Sequence, residues 1–255
     1  MSEPTGTVVK RLLPTALIAL IACAQAARAD EHLVPEENQF TRAALPNGQG
    51  SLAPYYERVI SLLGAAYTPD IRARVIVMPS YGPEYAVGVQ VRNGAYAVFH
   101  VALDVQVWRY DMLQEARKID QSRLDDSIAR GLRDAIAELE TSLPKNFQTI
   151  GADRCEMSIA PALGEGILSV WQSMLLQTHY TPSREVGRDG TDYHFSMPGQ
   201  TQYLSGKAWE PPPNSDAGRL VRIAETMKEV CRSRDATRLQ DLQPQVDDMR
   251  ARLGG

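Results

Sequence analysis

The chain has 255 residues, 44% of them hydrophobic and 23% charged, a composition that is typical of globular proteins and excludes disordered, collagen-like and polytopic membrane chains. Its formal net charge of -4 excludes the broad cationic surface that nucleic-acid binding requires. Its three cysteines are too few for a miniprotein held together by disulfides.

The N-terminus has the pattern of an export signal. Lys10 and Arg11 precede an apolar run over residues 12–22, which is shorter than the roughly 20 residues that a membrane-spanning helix needs. Small residues follow, and Ala-Arg-Ala at residues 27–29 is a typical cleavage site. We therefore expect residues 1–29 to be a signal peptide, and the mature chain to lie in the periplasm of a bacterial envelope without a transmembrane span.

A second processing site overlaps the first. The run Leu20-Ile21-Ala22-Cys23 resembles a bacterial lipobox, in which Cys23 would be lipidated and become the new N-terminus. Residues 30–52 contain many turn formers and little periodicity, which predicts a flexible linker that would serve a lipid-anchored form as a tether. Either processing route leads to an exported protein.

Removal of the signal leaves two cysteines, Cys155 and Cys231. In an oxidising compartment, two cysteines that lie far apart in sequence most simply form one disulfide. Two buried free thiols are the alternative.

A single domain is predicted over residues 53–232, followed by a helical tail over residues 233–255. The domain opens with a predicted helix over residues 51–64, because Pro54 suits a first turn and the helix has a glycine where it should end. A strand over residues 71–78 follows, and its second half is apolar on both faces, as in a strand that enters the core.

The strongest local signal is a β-hairpin. Residues 85–92 and 95–107 are rich in Val, Tyr and Phe, and Asn93-Gly94 between them fits a two-residue type I′ turn, which needs positive φ at both positions. The turn sets the register and predicts the facing pairs Val91–Tyr96, Val89–Val98, Val87–His100 and Gly88–Phe99. The face that carries the valines is expected to pack on the core.

Helical and β patterns alternate in the rest of the chain. Apolar residues at steps of three and four predict helices over residues 124–143, from Pro161 to Leu175, and from a cap at Asn214 or Ser215 to Cys231. Residues 144–160 are predicted to be irregular, residues 200–209 to form a strand, and Pro244 to start a short tail helix. A second hairpin is predicted around Asp189-Gly190, with Val186 facing Tyr193, Arg184 facing Phe195, Glu185 facing His194 and Gly187 facing Asp192.

These patterns lack a regular βαβα alternation. The predicted fold class is therefore α+β, with an antiparallel sheet built from hairpins and packed against several amphipathic helices. The sequence contains no phosphate-binding loop, no dinucleotide fingerprint, no nucleophile elbow and no zinc helix. We predict no metal and no cofactor.

His194 is the best candidate for acid–base chemistry. In the second predicted hairpin it faces Glu185, and Asp192 lies two residues away; carboxylates at this distance favour the charged imidazolium. With Glu165 as a further acid, such a group could serve an envelope hydrolase that acts on cell wall or glycan. The alternative is an exposed histidine beside two solvated carboxylates. His100, on an apolar face, is expected to be a core residue.

Aromatic and basic side chains are concentrated between residues 180 and 209. Aromatic residues and arginine supply much of the binding energy at protein interfaces, although Tyr193 and Phe195 could instead face the core. The candidate binding residues are Tyr180, Arg184, Arg188, Tyr203, Lys207 and Trp209.

The export signal and the missing catalytic motifs favour a non-enzymatic envelope protein that binds another envelope or secreted protein, as an inhibitor or a toxin-neutralising factor. An envelope hydrolase and a periplasmic carrier of a small ligand, with the aromatic stretch lining its pocket, are the alternatives.

Overall fold

The computed structural model describes residues 32–36, 53–180, 189–200 and 203–254. The predicted signal peptide and Cys23 lie outside these ranges. The elements within them are, in chain order, α1 Ala53–Leu62, β1 Ile71–Pro79, β2 Tyr85–Arg92, β3 Ala95–Leu103, α2 Trp108–Lys118, α3 Asp126–Ser142, β4 Ala152–Ile159, α4 Pro161–Leu176, β5 Thr191–Pro198, β6 Tyr203–Trp209, α5 Asp216–Ser233 and α6 Leu239–Leu253.

The six strands form one sheet in the order β4-β3-β2-β1-β5-β6, and every neighbouring pair is antiparallel. The predicted α+β class is confirmed. Strand β1 lies in the interior of the sheet, between β2 and β5, and its residues Val75, Ile76 and Val77 are all buried. A strand that is apolar on both faces needs a covering layer on each side.

Helices cover both faces of this sheet. Helices α4, α5 and α6 pack on the face that carries Val75, Val89 and Val98, so the valine face does lie on the core, as predicted. Helices α1, α2 and α3 pack on the opposite face, against Ile76 and Phe99. Among the described residues, no helix is long and apolar enough to cross a bilayer.

The first hairpin has the predicted turn and register. Asn93 and Gly94 adopt φ values of 51° and 80°, and every predicted pair from Val91–Tyr96 to Val87–His100 is present. Gly88 lies beneath the ring of Phe99, where an added Cβ would come within 2.7 Å of a ring carbon. A glycine is therefore required at this position.

The start of helix α2 was not predicted, because it depends on a side chain that is distant in sequence. The Glu84 carboxylate accepts hydrogen bonds from the backbone N–H groups of Val107 (2.8 Å) and Trp108 (3.2 Å) and from the Tyr55 hydroxyl (2.7 Å). A carboxylate at this point satisfies two donors of the helix N-terminus and interacts favourably with its dipole. Strand β3 accordingly ends at Leu103 rather than at Val107.

Two further predictions between residues 124 and 160 were wrong in detail. Helix α3 begins at Asp126, after an Asp125 cap, so Leu124 lies before the helix; of the predicted stripe, Leu139 and Leu143 are buried but Ile128 is 59% exposed. Residues 152–159, predicted to be irregular, form edge strand β4. Its charged residues on one face concealed the alternation of Cys155 and its neighbours, and such charges are typical of edge strands.

The predicted disulfide between Cys155 and Cys231 is confirmed. It joins edge strand β4 to helix α5, with 5.8 Å between the two Cα atoms. The two cysteines are 76 residues apart in sequence. The bond therefore connects the strand at one edge of the sheet to the helices that cover one of its faces.

The second predicted hairpin is wrong. Tyr193 in β5 pairs with Val77 of β1 on one side and with Ala208 of β6 on the other, so both edges of β5 are occupied. Gly190 instead contacts the end of β1, where the Ser80 N–H donates to its carbonyl at 2.8 Å. The other half of that hairpin, residues 181–188, lies outside the described residues.

Residues 32–36, which the sequence assigns to a linker, are part of the fold, and we call them the strap. Val34 and Lys207 exchange two backbone hydrogen bonds, of 2.9 and 2.8 Å, at the outer edge of β6. Leu33 is 0% exposed and lies over Gly206, where an added Cβ would be 3.0 Å from the Leu33 Cβ. The linker prediction is therefore wrong for these five residues, and the rest of residues 30–52 lies outside the described ranges.

The predicted tail also belongs to the core. In α6, Leu242, Val246 and Met249 are fully buried among residues of α4 and α5. The helix begins at Leu239 and contains Pro244, rather than starting at the proline as predicted. A proline in the second turn removes one helical hydrogen bond and clashes with the carbonyl group four residues earlier. The burial of three large side chains offsets this loss of stability.

Truncation of Leu33 tests whether the strap stabilises the domain. We expect Leu33→Ala to lower the free energy of unfolding by about 2–5 kcal/mol, because a fully buried leucine leaves a cavity when truncated. Urea unfolding measures the change. Leu176→Ala, at a leucine exposed on α4, is the control and should change it by less than about 0.5 kcal/mol. A loss below 1 kcal/mol for Leu33→Ala would contradict this role.

Reduction of the disulfide should destabilise the folded protein by roughly 4–5 kcal/mol in the chain-entropy model, because reduction frees a long loop in the unfolded state. Urea unfolding with and without reductant measures this difference. Thiol titration of unreduced, denatured protein should detect neither Cys155 nor Cys231. Detection of both would contradict the bond.

Candidate functional site

Polar side chains occupy the sheet face beneath α1, at the point where β1, β5 and β6 lie side by side. His194 of β5 pairs with Lys207 of β6, and Ser196 of β5 pairs with Arg74 of β1. All four side chains are buried. Since buried polar groups are costly without partners, this part of the sheet must be supplied with counter-charges and hydrogen bonds by the segments above it.

The strap supplies one such counter-charge. Glu36 Oε1 lies 3.3 Å from His194 Nδ1, and the ring of Tyr56 meets that of His194 edge-on, with 6.3 Å between the centroids. An acid beside His194 is thus Glu36, 158 residues away in sequence; the predicted Glu185 lies outside the described residues. We call Glu36, Arg74, His194, Ser196 and Lys207 the polar cluster.

Arg74 is held between aromatic rings. Its guanidinium carbon lies 4.1 Å from the ring centroid of Tyr67 and 5.5 Å from that of Tyr203, which is the geometry of a cation–π interaction. It also donates to the Ala66 carbonyl at 3.5 Å. Burial raises the pKa of Tyr67 to about 12, although the charge of Arg74 acts in the opposite direction. Tyr67 therefore remains a neutral phenol at physiological pH.

The described residues contain only part of the predicted acid–base group. His194 is only 2% exposed, and Asp192 lies two residues along the same strand, between Met78 and Trp209. Glu165 is exposed on α4, on the far side of the sheet, where α4 packs against Phe195 through Trp171. Glu185 lies outside the described residues.

His194 consequently joins the strap to the sheet through its contact with Glu36. Its geometry is that of a buried ion pair or hydrogen bond between two distant segments. Within the described ranges, no three His, Cys, Asp or Glu side chains lie close enough together to bind a metal ion.

The predicted binding residues are separated by the fold. Trp209 and Tyr203 stand at opposite ends of β6, six residues or about 20 Å apart at the rise of an extended strand. Lys207 is buried, whereas Tyr203 is 52% and Tyr180 74% exposed. Arg184 and Arg188 lie outside the described residues. Of the aromatic surface that the sequence predicts, the structure retains the two exposed tyrosines.

Tyr203 lies on edge strand β6, whose outer side is only partly paired by described residues. Lys207 directs its backbone N–H and C=O away from β5, towards Val34, and hydrogen-bonding direction alternates along a strand. Ser205 and Tyr203 therefore point their backbone groups outward in the same way, and neither has a strand partner in the part of the chain that the structure describes. The edge of β6 is thus paired at Lys207, while Ser205 and Tyr203 have no backbone partner among the described residues.

Tyr180 follows a segment that packs over the other face of β6. The His179 N–H donates to the Leu33 carbonyl at 3.2 Å, and Thr178 Oγ1 lies 2.9 Å from the position that a Cβ on Gly206 would take. No local pattern in the sequence marks the strap as the partner of β6. The two adjacent apolar residues Leu33 and Val34, followed by Pro35, are too short a run to be read as a strand.

His100 belongs to a different buried group on the opposite face of the sheet. It is 3% exposed, as predicted for a core histidine, and its ring lies 5.6 Å from that of Tyr85. The Tyr85 hydroxyl donates to Glu225, which also pairs with Lys228. Burial lowers the pKa of His100 to about 4, and the positive charges of Arg232 and Lys228 add to this effect.

Protonation of His100 should destabilise the fold in mild acid. Its pKa is lower in the folded state than the usual 6.5, so its contribution is complete above about pH 6.5 and is lost as the pH falls towards 4. Relative to His100→Gln, the wild-type protein should lose about 2 kcal/mol between pH 7.5 and pH 5, measured by urea unfolding. His179→Gln, at an exposed histidine, is the control and should keep the wild-type pH dependence. A His100→Gln variant with that same dependence would refute the assignment.

Comparison with known proteins does not indicate a function for this chain. No protein-family model matches the chain, and no curated protein or solved structure matches it either. Its function must therefore be inferred from the residues and their arrangement.

Proposed function

We propose that this chain is an exported protein of a bacterial envelope that acts in the periplasm by binding another protein, as an inhibitor or a toxin-neutralising factor, without catalysis. The observation that carries this proposal is the edge of β6 at Ser205 and Tyr203, whose outward backbone groups have no strand partner among the described residues, with the exposed side chain of Tyr203 beside it. The binding mode is the addition of an extended segment of the partner to this edge.

Strand addition suits the chemistry of this edge. Outward N–H and C=O groups at a sheet edge pair readily with an extended peptide, and the neighbouring side chains select its sequence. Tyr203 and Tyr180 would supply broad, rigid contact area at little cost in conformational entropy. The strap already pairs with Lys207 of the same edge, so this edge is competent for antiparallel pairing.

Two further observations support export and the absence of catalysis. A disulfide such as Cys155–Cys231 persists in oxidising compartments and is rare in the cytosol, which agrees with the export pattern of residues 1–29. The buried position of His194 leaves the candidate acid–base group without access to a substrate, which favours a binder over a hydrolase.

Affinity capture from an envelope extract, with the mature protein as bait, tests the proposal. A partner that adds a strand to β6 should be captured by the wild-type protein and lost with Ser205→Pro, because proline removes the outward N–H without removing a hydrogen bond to β5. Tyr203→Ala should weaken capture at least about tenfold, as expected for an interface tyrosine. Mass spectrometry identifies the captured protein.

Tyr81→Ala is the matched control, because Tyr81 is an exposed tyrosine between β1 and β2 and its loss should leave capture unchanged. Circular dichroism and urea unfolding establish that each variant is folded. Undiminished capture by folded Ser205→Pro and Tyr203→Ala variants would place the interface elsewhere. Turnover of cell-wall glycan by the wild-type protein, lost in a folded His194→Ala variant, would overturn the non-catalytic assignment.

A further inference from the structure

A second surface feature lies away from β6, where α1, α2 and the turn after α3 meet. These three segments enclose a cavity of about 220 Å³ that is open to solvent. Pockets for drug-sized ligands have volumes of about 300–1,000 Å³, so this cavity accommodates a smaller molecule, with about one ring. Its lining residues are Arg58, Tyr110, Gln114, Lys145, Asn146 and Phe147.

The polar part of the lining consists of hydrogen-bond donors. The Lys145 ammonium and the Gln114 amide have no hydrogen-bond or ion-pair partner among the described residues. The Asn146 carbonyl oxygen Oδ1 accepts from the Gln148 N–H at 3.0 Å, which leaves the Asn146 amide NH₂ available to donate. Three side chains from two different segments therefore offer donors to one cavity.

Arg58 adds a guanidinium whose position is fixed. It pairs through Nη2 with Asp111, while its Nε atom is buried and has no partner among the described residues. Asp111 compensates the charge of Arg58, so Lys145 supplies the uncompensated positive charge of the cavity. An anion could approach this site without displacing an existing ion pair.

The remaining walls are aromatic and rigid. The Arg58 guanidinium carbon lies 6.0 Å from the ring centroid of Phe147, and Phe147 packs against the core beneath α2 and α3. The Tyr110 hydroxyl donates to the Pro144 carbonyl, which holds this ring against the turn. Aromatic walls with a few placed polar groups are typical of small-ligand sites.

We propose that this cavity is a binding site for a small carboxylate carried on a six-membered ring. Lys145, Gln114 and Asn146 bind the carboxylate, and the ring packs against Phe147 and Tyr110. An acidic sugar and an aromatic acid both present this chemistry. The site is separate from the β6 edge, and its existence does not depend on the protein-binding function proposed above.

Titration of the isotope-labelled full mature chain, followed by NMR, tests the site. The probes are D-glucuronate and benzoate, with D-glucose as the uncharged ring and acetate as the carboxylate without a ring. For a ligand of this size we expect a Kd of about 1–10 mM, and shifts confined to the amides of the lining residues. At least one ring acid should bind about tenfold more tightly than glucose and acetate. Selective binding of glucuronate would identify a sugar site, and selective binding of benzoate an aromatic-acid site.

Variants assign the binding to the cavity. Lys145→Ala should weaken binding of the ring acid at least about fivefold, and 0.5 M salt should weaken it similarly, because the attraction is between exposed charges. Lys118→Ala is the matched control, since Lys118 is an exposed lysine on α2 that pairs with Glu115, outside the cavity. Glucose or acetate binding as tightly as the ring acids, no binding of either acid at 50 mM, or equal loss in both lysine variants would overturn the proposal.

Discussion

The backbone pairing of Val34 with Lys207 is the constraint on which the arrangement of the candidate site depends. It fixes the strap on the outer edge of β6 and thereby places Leu33 in the core and Glu36 beside His194. Sheet edges with unpaired backbone groups promote aggregation, and the strap pairs this edge at Lys207.

The parts of the fold that the sequence predicts correctly are those specified by neighbouring residues. Asn93-Gly94 dictates a turn, and the turn dictates the register of β2 and β3. The start of α5 follows from Ser215, whose hydroxyl accepts from the Gly218 N–H as a cap does. The missed elements depend on distant partners. Helix α2 is capped by Glu84, and β5 pairs with β1 rather than with the segment before it, because long-range burial outweighs a local turn signal.

In the candidate site, too, the features that depend on residues distant in sequence were missed. The sequence pattern places carboxylates near His194, but Glu36 could not be recognised as one of them because 158 residues separate the two. It also grouped Tyr203 with Trp209 because they are close in sequence, whereas an extended strand carries them to opposite ends of β6. Proximity in sequence implies proximity in space only in compact local structures such as turns and helices. The Arg58 cavity draws on three segments and leaves no recognisable pattern in any one of them.

If Cys23 were lipidated, the anchoring of the strap would also limit the distance between the domain and the membrane. With His32 held at the rim of the sheet, an acyl chain on Cys23 would be joined to the globule by nine peptide units, which extend to about 30 Å at most. That length is comparable with the diameter of a small domain. A lipidated form would therefore remain close to the bilayer surface and would not reach across the periplasmic space. Only partners within reach of the headgroups would then be available to it.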